Sequence, residues 1–164
     1  MYLERKVDVE LLRWRELLVR KPLLIRRARQ VGKSSAVRNL SKQFDFFIEI
    51  NFVEQPQFCT LFENNTAISE LLMQLAVNTN TEIIEGKTLL FLDEIQACIP
   101  AISLLRYFYE KMPGLHVIAA GSLLEFALSE LPSFGVGRVR SLFMYPFSFS
   151  EFLIALNEKP YWEF

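Results

Sequence analysis

A glycine, a lysine and a serine stand together where a short apolar run gives way to a helical pattern. The run is Leu23–Ile25, the three residues are Gly32, Lys33 and Ser34, and apolar residues then recur at helical spacing as far as Phe44. This order of strand, loop and helix is the setting that a phosphate-binding loop requires. Gly32 lets backbone N–H groups approach a phosphate, Lys33 supplies a cation, and the Ser34 hydroxyl is a hard oxygen ligand suited to Mg²⁺.

The full phosphate-loop pattern begins with another glycine, and this chain has Arg27 at that position. If the backbone there needs a positive φ, a residue other than glycine costs about 1–2 kcal/mol. Such a cost would weaken nucleotide binding about tenfold without abolishing it. The alternative is that Gly-Lys-Ser is a chance tripeptide at an ordinary helix start.

Two carboxylates, Asp93 and Glu94, end a second apolar run that begins at Thr88. Because an unpaired carboxylate is costly to bury, the run should reach the surface at Asp93. Ligands of open α/β sheets bind at the carboxyl ends of the strands. An aspartate there can hold Mg²⁺, and a neighbouring glutamate can orient and polarise an attacking water, although a solvated acidic turn has the same sequence. We expect the turn at Gly32 and the acidic pair to lie side by side and to share one magnesium ion.

Composition predicts one domain, residues 1–164, with 51% hydrophobic and 23% charged residues, as in soluble globular proteins. Four of its fifteen phenylalanines lie within residues 143–152, near the C-terminal end, and a missing partner domain that covers them is one explanation. These are Phe143, Phe147, Phe149 and Phe152.

The charge is uneven, because residues 1–42 carry a net charge of +8 in a chain whose total is −1. This basic N-terminal quarter could bind nucleic acid. The alternative is that Arg26, Arg27, Arg29 and Lys33 surround a polyphosphate site while the other cations solvate helix faces. The chain contains no basic run interleaved with aromatic residues, and this favours the polyphosphate site over nucleic-acid binding.

Cys59 and Cys98 lack the spacing of metal ligands, and two cysteines do not make a disulfide framework, so we expect a reducing cytoplasm. The N-terminus lacks the apolar core of a signal peptide, and no apolar run approaches membrane-spanning length. The one histidine, His116, lies in a predicted strand and is expected to be a strand residue and not a catalytic base.

Alternating strand and helix patterns predict an α/β fold, a parallel sheet of about five strands with helices on both faces. A loop is predicted over 53–65, and Ser148 with Glu151 forms a capping box before a final helix. The predicted strands are 22–26, 46–52, the run from 88, 116–120 and 141–144. The predicted helices are 8–19, with Val9, Leu12 and Leu17 as its apolar residues, 33–44, one from 68, 100–112, 123–130 and one from 148.

Four motifs in order resemble the predicted ATPases of the AAA+ superfamily found in bacteria and archaea. They are Ala28–Ser34, Leu92–Gln96, Ala120–Ser122 and Val136–Val139. The resemblance implies a P-loop NTPase three-layer fold with strand order 5-1-4-3-2. Members of the group usually continue into a lid and a C-terminal domain, so the chain corresponds to the ATP-binding core alone.

The resemblance also implies site residues. Lys33 and Ser34 take the Walker A roles, Asp93 and Glu94 the Walker B roles, and Ser34 and Asp93 hold the metal. Ser122 becomes the polar sensor at the end of the fourth strand. The implied nucleotide-binding residues are Arg29, Gln30, Val31, Gly32, Lys33, Ser34 and Ser35.

Three residues keep two interpretations. Ser122 is a sensor or, with Glu125, only a helix cap. Arg138 is an arginine finger that reaches a neighbouring subunit in a homo-oligomer, or an exposed loop cation. Gln96 contacts Glu94 or caps a turn.

Taken together, the motifs predict binding and slow hydrolysis of Mg-ATP. The alternative is a catalytically impaired nucleotide-binding or interaction module, motivated by Arg27 and the missing C-terminal region. A P-loop kinase is a weaker third possibility, because the adjacent Asp93 and Glu94 suit a hydrolase better.

Overall fold

A computed structural model describes residues 2–26, 31–64, 67–122, 124–129, 131 and 137–155. Five strands form one sheet in the order β2-β3-β4-β1-β5, and every neighbouring pair is parallel. This is the expected order 5-1-4-3-2 counted from the other edge, so the predicted fold class is confirmed. The strands are β1 Leu23–Arg26, β2 Phe46–Asn51, β3 Thr88–Asp93, β4 His116–Ala120 and β5 Arg140–Phe143.

Helices cover both faces of this sheet, because its central strands send apolar side chains alternately to two cores. Leu90 and Leu92 of β3 join the core on one side, whereas Leu89 and Phe91 join the core on the other. The helices are α1 Lys6–Arg15, α2 Lys33–Ser41, α3 Cys59–Asn64, α4 Ile68–Thr79, α5 Ile99–Lys111, α6 Leu124–Ser129 and α7 Phe149–Ala155. Two 3₁₀ turns are Pro56–Phe58 and Ile95–Ala97.

Helix α1 presents a different face from the predicted one. Leu11 and Trp14 are buried, while Val9 and Leu12 lie exposed. The tryptophan sets the orientation, since it carries the largest apolar surface in the helix and its indole Nε1 donates to the carbonyl of Lys21 at 2.8 Å. The helix ends at Arg15, before the predicted limit of residue 19.

The predicted loop over 53–65 is wrong in part, because it contains the Pro56–Phe58 turn and α3. Phe62 of α3 is buried and packs edge-to-face on Phe52, with ring centroids 5.3 Å apart. One buried aromatic contact thus orders a helix too short for periodicity to reveal. The capping box at the start of α7 is confirmed, since Ser148 N–H donates to Glu151 and Glu151 N–H donates to the Ser148 hydroxyl.

Cys59 and Cys98 are joined in a disulfide, with Cα atoms 5.6 Å apart, and the expectation that they stay unpaired is wrong. The bond links the first residue of α3 to the residue before α5. Spacing along the chain could not predict it, because the folding of α3 against α5 is what brings the two thiols together. The predicted cytoplasmic location loses the support that it drew from unpaired cysteines, and it stays a prediction.

The four phenylalanines within residues 143–152, Phe143, Phe147, Phe149 and Phe152, are all exposed. Among the residues that the structure describes, no helix combines the length and the apolar character needed to cross a bilayer.

Breaking the disulfide should lower the free energy of unfolding by about 2–4 kcal/mol, because the bond closes a loop of 39 residues in the unfolded chain. Urea denaturation of Cys59→Ala/Cys98→Ala against the parent protein measures the difference. Two free thiols in the unreduced, denatured parent, together with equal stability of the variant, would contradict the assignment.

His116 should make stability fall with acid. It is buried between Trp14 and Phe44, and its Nε2 lies 3.1 Å from the carbonyl of Arg15. Burial lowers its pKa to about 4. In the unfolded chain the histidine is protonated below its ordinary pKa of 6.5. Between about pH 6.5 and 4 the unfolded state therefore binds one proton more than the native state. Up to about 3 kcal/mol of stability should be lost over that window.

Chemical denaturation at pH 7.5 and pH 4.5 measures this loss. In His116→Gln the same difference should shrink by most of that amount. An unchanged difference in the variant would contradict the role of His116.

Candidate functional site

The candidate site lies at the carboxyl ends of β1 and β3, where α2 begins. Gly32 is the residue that caps α2, and its φ of 82° and ψ of 25° are left-handed, a conformation that glycine adopts without strain. Ala36, Val37 and Leu40 of α2 are buried against the sheet. This packing directs the amino terminus of the helix, with its partial positive charge, toward the ends of the strands.

Lys33 is almost fully enclosed, with 7% of its surface exposed. Burial lowers the pKa of its ammonium group, and the nearby carboxylates of Glu94 and Asp93 act in the opposite direction. A buried cation beside an open cleft gains most from a multiply charged anion, as the predicted phosphate-binding role requires.

Ser34 and Asp93 are in direct contact, although 59 residues separate them in the chain. The Ser34 hydroxyl donates to Asp93 Oδ2 at 2.6 Å, and Asp93 Oδ1 accepts the N–H of Glu94 at 3.0 Å. Burial raises the pKa of Asp93, while the two hydrogen bonds lower it. The expectation that the glycine turn and the acidic pair lie side by side is therefore met.

The donor set fits a magnesium ion that is held mainly by its ligands in a nucleotide. Among the described residues, no cluster of three or more histidine, cysteine, aspartate and glutamate side chains could hold a metal. Magnesium does not need such a cage, because it is commonly bound by one or two protein oxygens together with phosphates and waters. The Ser34 hydroxyl and the Asp93 carboxylate supply two such oxygens at one point.

Glu94 follows Asp93 in a left-handed backbone conformation, with φ 50° and ψ 43°. A non-glycine residue held there costs about 1–2 kcal/mol. The turn aims the carboxylate at the end of β4, where Glu94 Oε2 lies 3.5 Å from the Ser122 hydroxyl and accepts a hydrogen bond from Gln96 Nε2. The Ser122 hydroxyl thus faces Glu94, and Gln96 contacts the same carboxylate. The side chain of Glu125 lies outside the described residues, so the sensor and the helix-cap interpretations of Ser122 both stay predictions.

A cleft of about 530 Å³ opens above these groups. Its walls include Asn51, Val53 and Glu54, which belong to none of the sequence motifs. Asn51 pairs with Asp93 in the sheet, and its Oδ1 accepts the N–H groups of Val53 and Glu54. The sequence signal for this part of the cleft is Asn51, a polar residue near the carboxyl end of the predicted strand 46–52. The other lining residues are Val31, Gly32, Lys33, Ser34, Ser35, Glu94, Gln96 and Ser122.

Arg5 supports the phosphate loop from behind, another role that the sequence did not suggest. Its guanidinium donates to the carbonyl of Val31 and, at 2.8 Å, to that of Tyr145, and its Nε lies 3.5 Å from Glu151. Burial alone would raise the pKa of Glu151, but N–H groups of Ser148 and Lys6 and the charge of Arg5 hold it below its usual range. The beginning of α1 and the beginning of α7 are thereby tied to the loop.

Of the predicted site residues that the structure describes, Arg138 is not brought to the cleft. Arg27, Arg29 and Gln30 lie outside the described residues. Arg138 precedes β5 at the opposite edge of the sheet, where its Nε pairs with Glu110 at 2.6 Å. It therefore does not join the site of its own chain, and a role toward a neighbouring subunit stays a prediction.

The basic N-terminal quarter is less available to a partner than its charge suggests. Arg20 and Lys33 are buried, and so is most of the Arg5 side chain. Arg38 forms a two-pronged pair with Glu49. Nucleic-acid binding through this segment stays a prediction.

Comparison with known proteins gives a consistent result. The model of the AAA domain family matches residues 19–153. A solved structure, the Walker-type ATPase PABY2304 of Pyrococcus abyssi, superposes with a TM-score of 0.57 at 21% identity, over 95% of this chain. The chain spans 57% of the length of that protein. No curated protein matches it in sequence.

Gly32→Ala should distinguish an effect on anion binding from an effect on stability. An added Cβ has room, at 3.6 Å from Arg5 and 3.8 Å from Met144, so the cost is the left-handed backbone, about 1–2 kcal/mol of stability. Gly86→Ala is the matched control, because Gly86 has a φ of 79°, open surroundings and a place in the turn before β3.

Both variants should lose similar stability in urea denaturation, but only Gly32→Ala should weaken tripolyphosphate binding in calorimetry. Equal affinities in the two variants would exclude Gly32 from an anion site.

Proposed function

We propose, from the premise that the chain belongs to the AAA domain family, that it binds Mg-ATP and hydrolyses it slowly. Family and fold support the coarser statement of a nucleotide-binding P-loop ATPase domain. The observation that carries the finer one is the hydrogen bond between Ser34 and Asp93, at a cleft that Lys33, Ser34 and Glu94 line together.

Each of these residues has a distinct task. The amino terminus of α2 and Lys33 hold the β- and γ-phosphates and offset the charge that develops during transfer. Glu94 orients a water for in-line attack on the γ-phosphorus and accepts its proton as the bond to the β–γ bridging oxygen breaks. Ser122 donates toward the same carboxylate.

Ser34 and Asp93 would hold the magnesium ion. When bound, the ion supplies positive charge that neutralises the phosphate oxygens. The protein supplies the two oxygens and the fixed position.

Three further proposals concern the protein around the site. The chain is an AAA+-type core, residues 1–164, and is located in the cytoplasm. The exposed phenylalanines within residues 143–152 support contact with a partner domain. The chain's span of 57% of the Pyrococcus abyssi protein supports its assignment as one domain of a larger protein. Arg138 would act across a homo-oligomer on a neighbouring nucleotide.

Glu94→Gln should lower ATP turnover about 100-fold or more, because the water loses its base, while the Kd for Mg-ATP stays within about twofold. Lys33→Ala should instead weaken binding by about tenfold or more. Glu70→Gln, on the exposed surface of α4, is the matched control and should behave as the parent. Phosphate-release kinetics and calorimetry measure the two effects.

The impaired-module alternative rests on Arg27 and makes a different prediction. In that case the parent chain shows no affinity at millimolar ATP, and Arg27→Gly restores binding. Turnover that survives in Glu94→Gln would remove Glu94 from the mechanism.

A further inference from the structure

The turn that carries Glu94 contains an amide whose contacts are not explained by folding alone. Gln96 lies in the 3₁₀ turn Ile95–Ala97, two residues after Glu94, and lines the same cleft. Its Nε2 donates to Glu94 Oε2. An amide bonded to a carboxylate is a charge-assisted hydrogen bond, about twice as strong as a neutral one.

The other end of this amide is in an unfavourable place. Gln96 Oε1 is buried and finds no hydrogen-bond donor among the described residues. An unsatisfied buried oxygen costs about 1–3 kcal/mol, and a side chain turned toward the solvent would avoid that cost. The contact with Glu94 is the interaction that compensates for it.

Gly121 makes room for the amide. A Cβ added at position 121 would lie 2.3 Å from Gln96 Oε1, closer than real Cβ contacts allow, and 3.1 Å from the side chain of Leu124. Gly121 follows β4 directly and precedes Ser122. The end of β4 therefore leaves space for the amide of Gln96 and also presents a second donor, the Ser122 hydroxyl, to Glu94.

The two donors meet one oxygen of the carboxylate. Gln96 and Ser122 both approach Oε2 of Glu94, and no described residue donates to Oε1. With Oε2 held, Oε1 is the oxygen that can accept a proton from water. The left-handed backbone of Glu94 further limits where this oxygen can point.

We infer that Gln96 is a positioning residue that fixes the carboxylate of Glu94, in a place left for it by Gly121. The inference rests on the proposed hydrolysis, in which Glu94 accepts the proton of the attacking water. A misplacement of about 1 Å in such a group can cost about 100-fold in rate. Gln96 acts through Glu94 and not on the phosphates, so its loss affects turnover and spares binding.

The test begins with Gln96→Ala. Its kcat for ATP should fall about 10- to 100-fold, while the Kd for Mg-ATP stays within about twofold. Gln57→Ala is the matched control, because Gln57 is an exposed glutamine in the other 3₁₀ turn, Pro56–Phe58, and should leave both quantities unchanged.

Gly121→Ala gives a second, independent variant. Its Cβ displaces the flexible amide of Gln96, so the variant should lose about as much kcat as Gln96→Ala. The double variant Gly121→Ala/Gln96→Ala should be no slower than Gln96→Ala alone, because the amide that the methyl group displaces is already gone. If the losses of kcat in the two single variants multiply in the double variant, Gly121 affects turnover independently of Gln96, and the place assigned to Gly121 is wrong.

The outcomes separate the two proposals. Parent-like kcat in Gln96→Ala, or a Kd that rises as much as kcat falls, overturns the role of Gln96 and leaves the ATPase intact. Absence of turnover in the parent protein overturns the proposed function and the role of Gln96 with it. A large loss of kcat at unchanged Kd, not multiplied by Gly121→Ala, supports the inference.

Discussion

The contact between the Ser34 hydroxyl and the Asp93 carboxylate is the constraint on which the rest of the site depends. It joins the start of α2 to the end of β3 across 59 residues, and it places two hard oxygens next to a buried lysine. The sheet enforces it, because parallel strands deliver all their carboxyl ends to one edge. The deep burial of β3, at all six of its positions, fixes that edge relative to the two cores.

The fold carries this constraint at a local cost. Asp93 is 4% exposed, and Glu94 adopts a left-handed backbone that few residues other than glycine accept. Hydrogen bonds from the Ser34 hydroxyl and the Glu94 N–H compensate the burial of the Asp93 carboxylate. Packing of Ile95 and Cys98 into the core holds the turn at Glu94 in place. Arg5 adds support behind the loop, since it binds the carbonyl of Val31 and pairs with Glu151 of α7. Strain and burial are thus concentrated where charges must stay fixed.

The sequence predicted the part of this arrangement that local patterns determine. Strand β4 was placed at its observed limits, His116–Ala120, because an apolar run ended at a glycine, and the pairing of Ser34 with Asp93 followed from the topology of parallel sheets. The exposed side of α1 was assigned wrongly, since the indole hydrogen bond of Trp14 to Lys21 outweighs the leucine pattern. The disulfide and the supporting role of Arg5 could not be read from spacing. Both arise from contacts between elements far apart in the chain, at 39 residues for the cysteines and 26 for Arg5 and Val31.

We propose that Ser34 and Asp93 share one magnesium ion at the phosphates of a bound nucleotide. Calorimetric titration with ATP, in excess Mg²⁺ and in excess EDTA, tests it directly in the parent, Ser34→Ala, Asp93→Asn and the double variant. We expect that Mg²⁺ tightens ATP binding in the parent, that either single change removes most of this gain in affinity, and that the double change removes little more. An advantage of Mg²⁺ that persists undiminished in Asp93→Asn would contradict it.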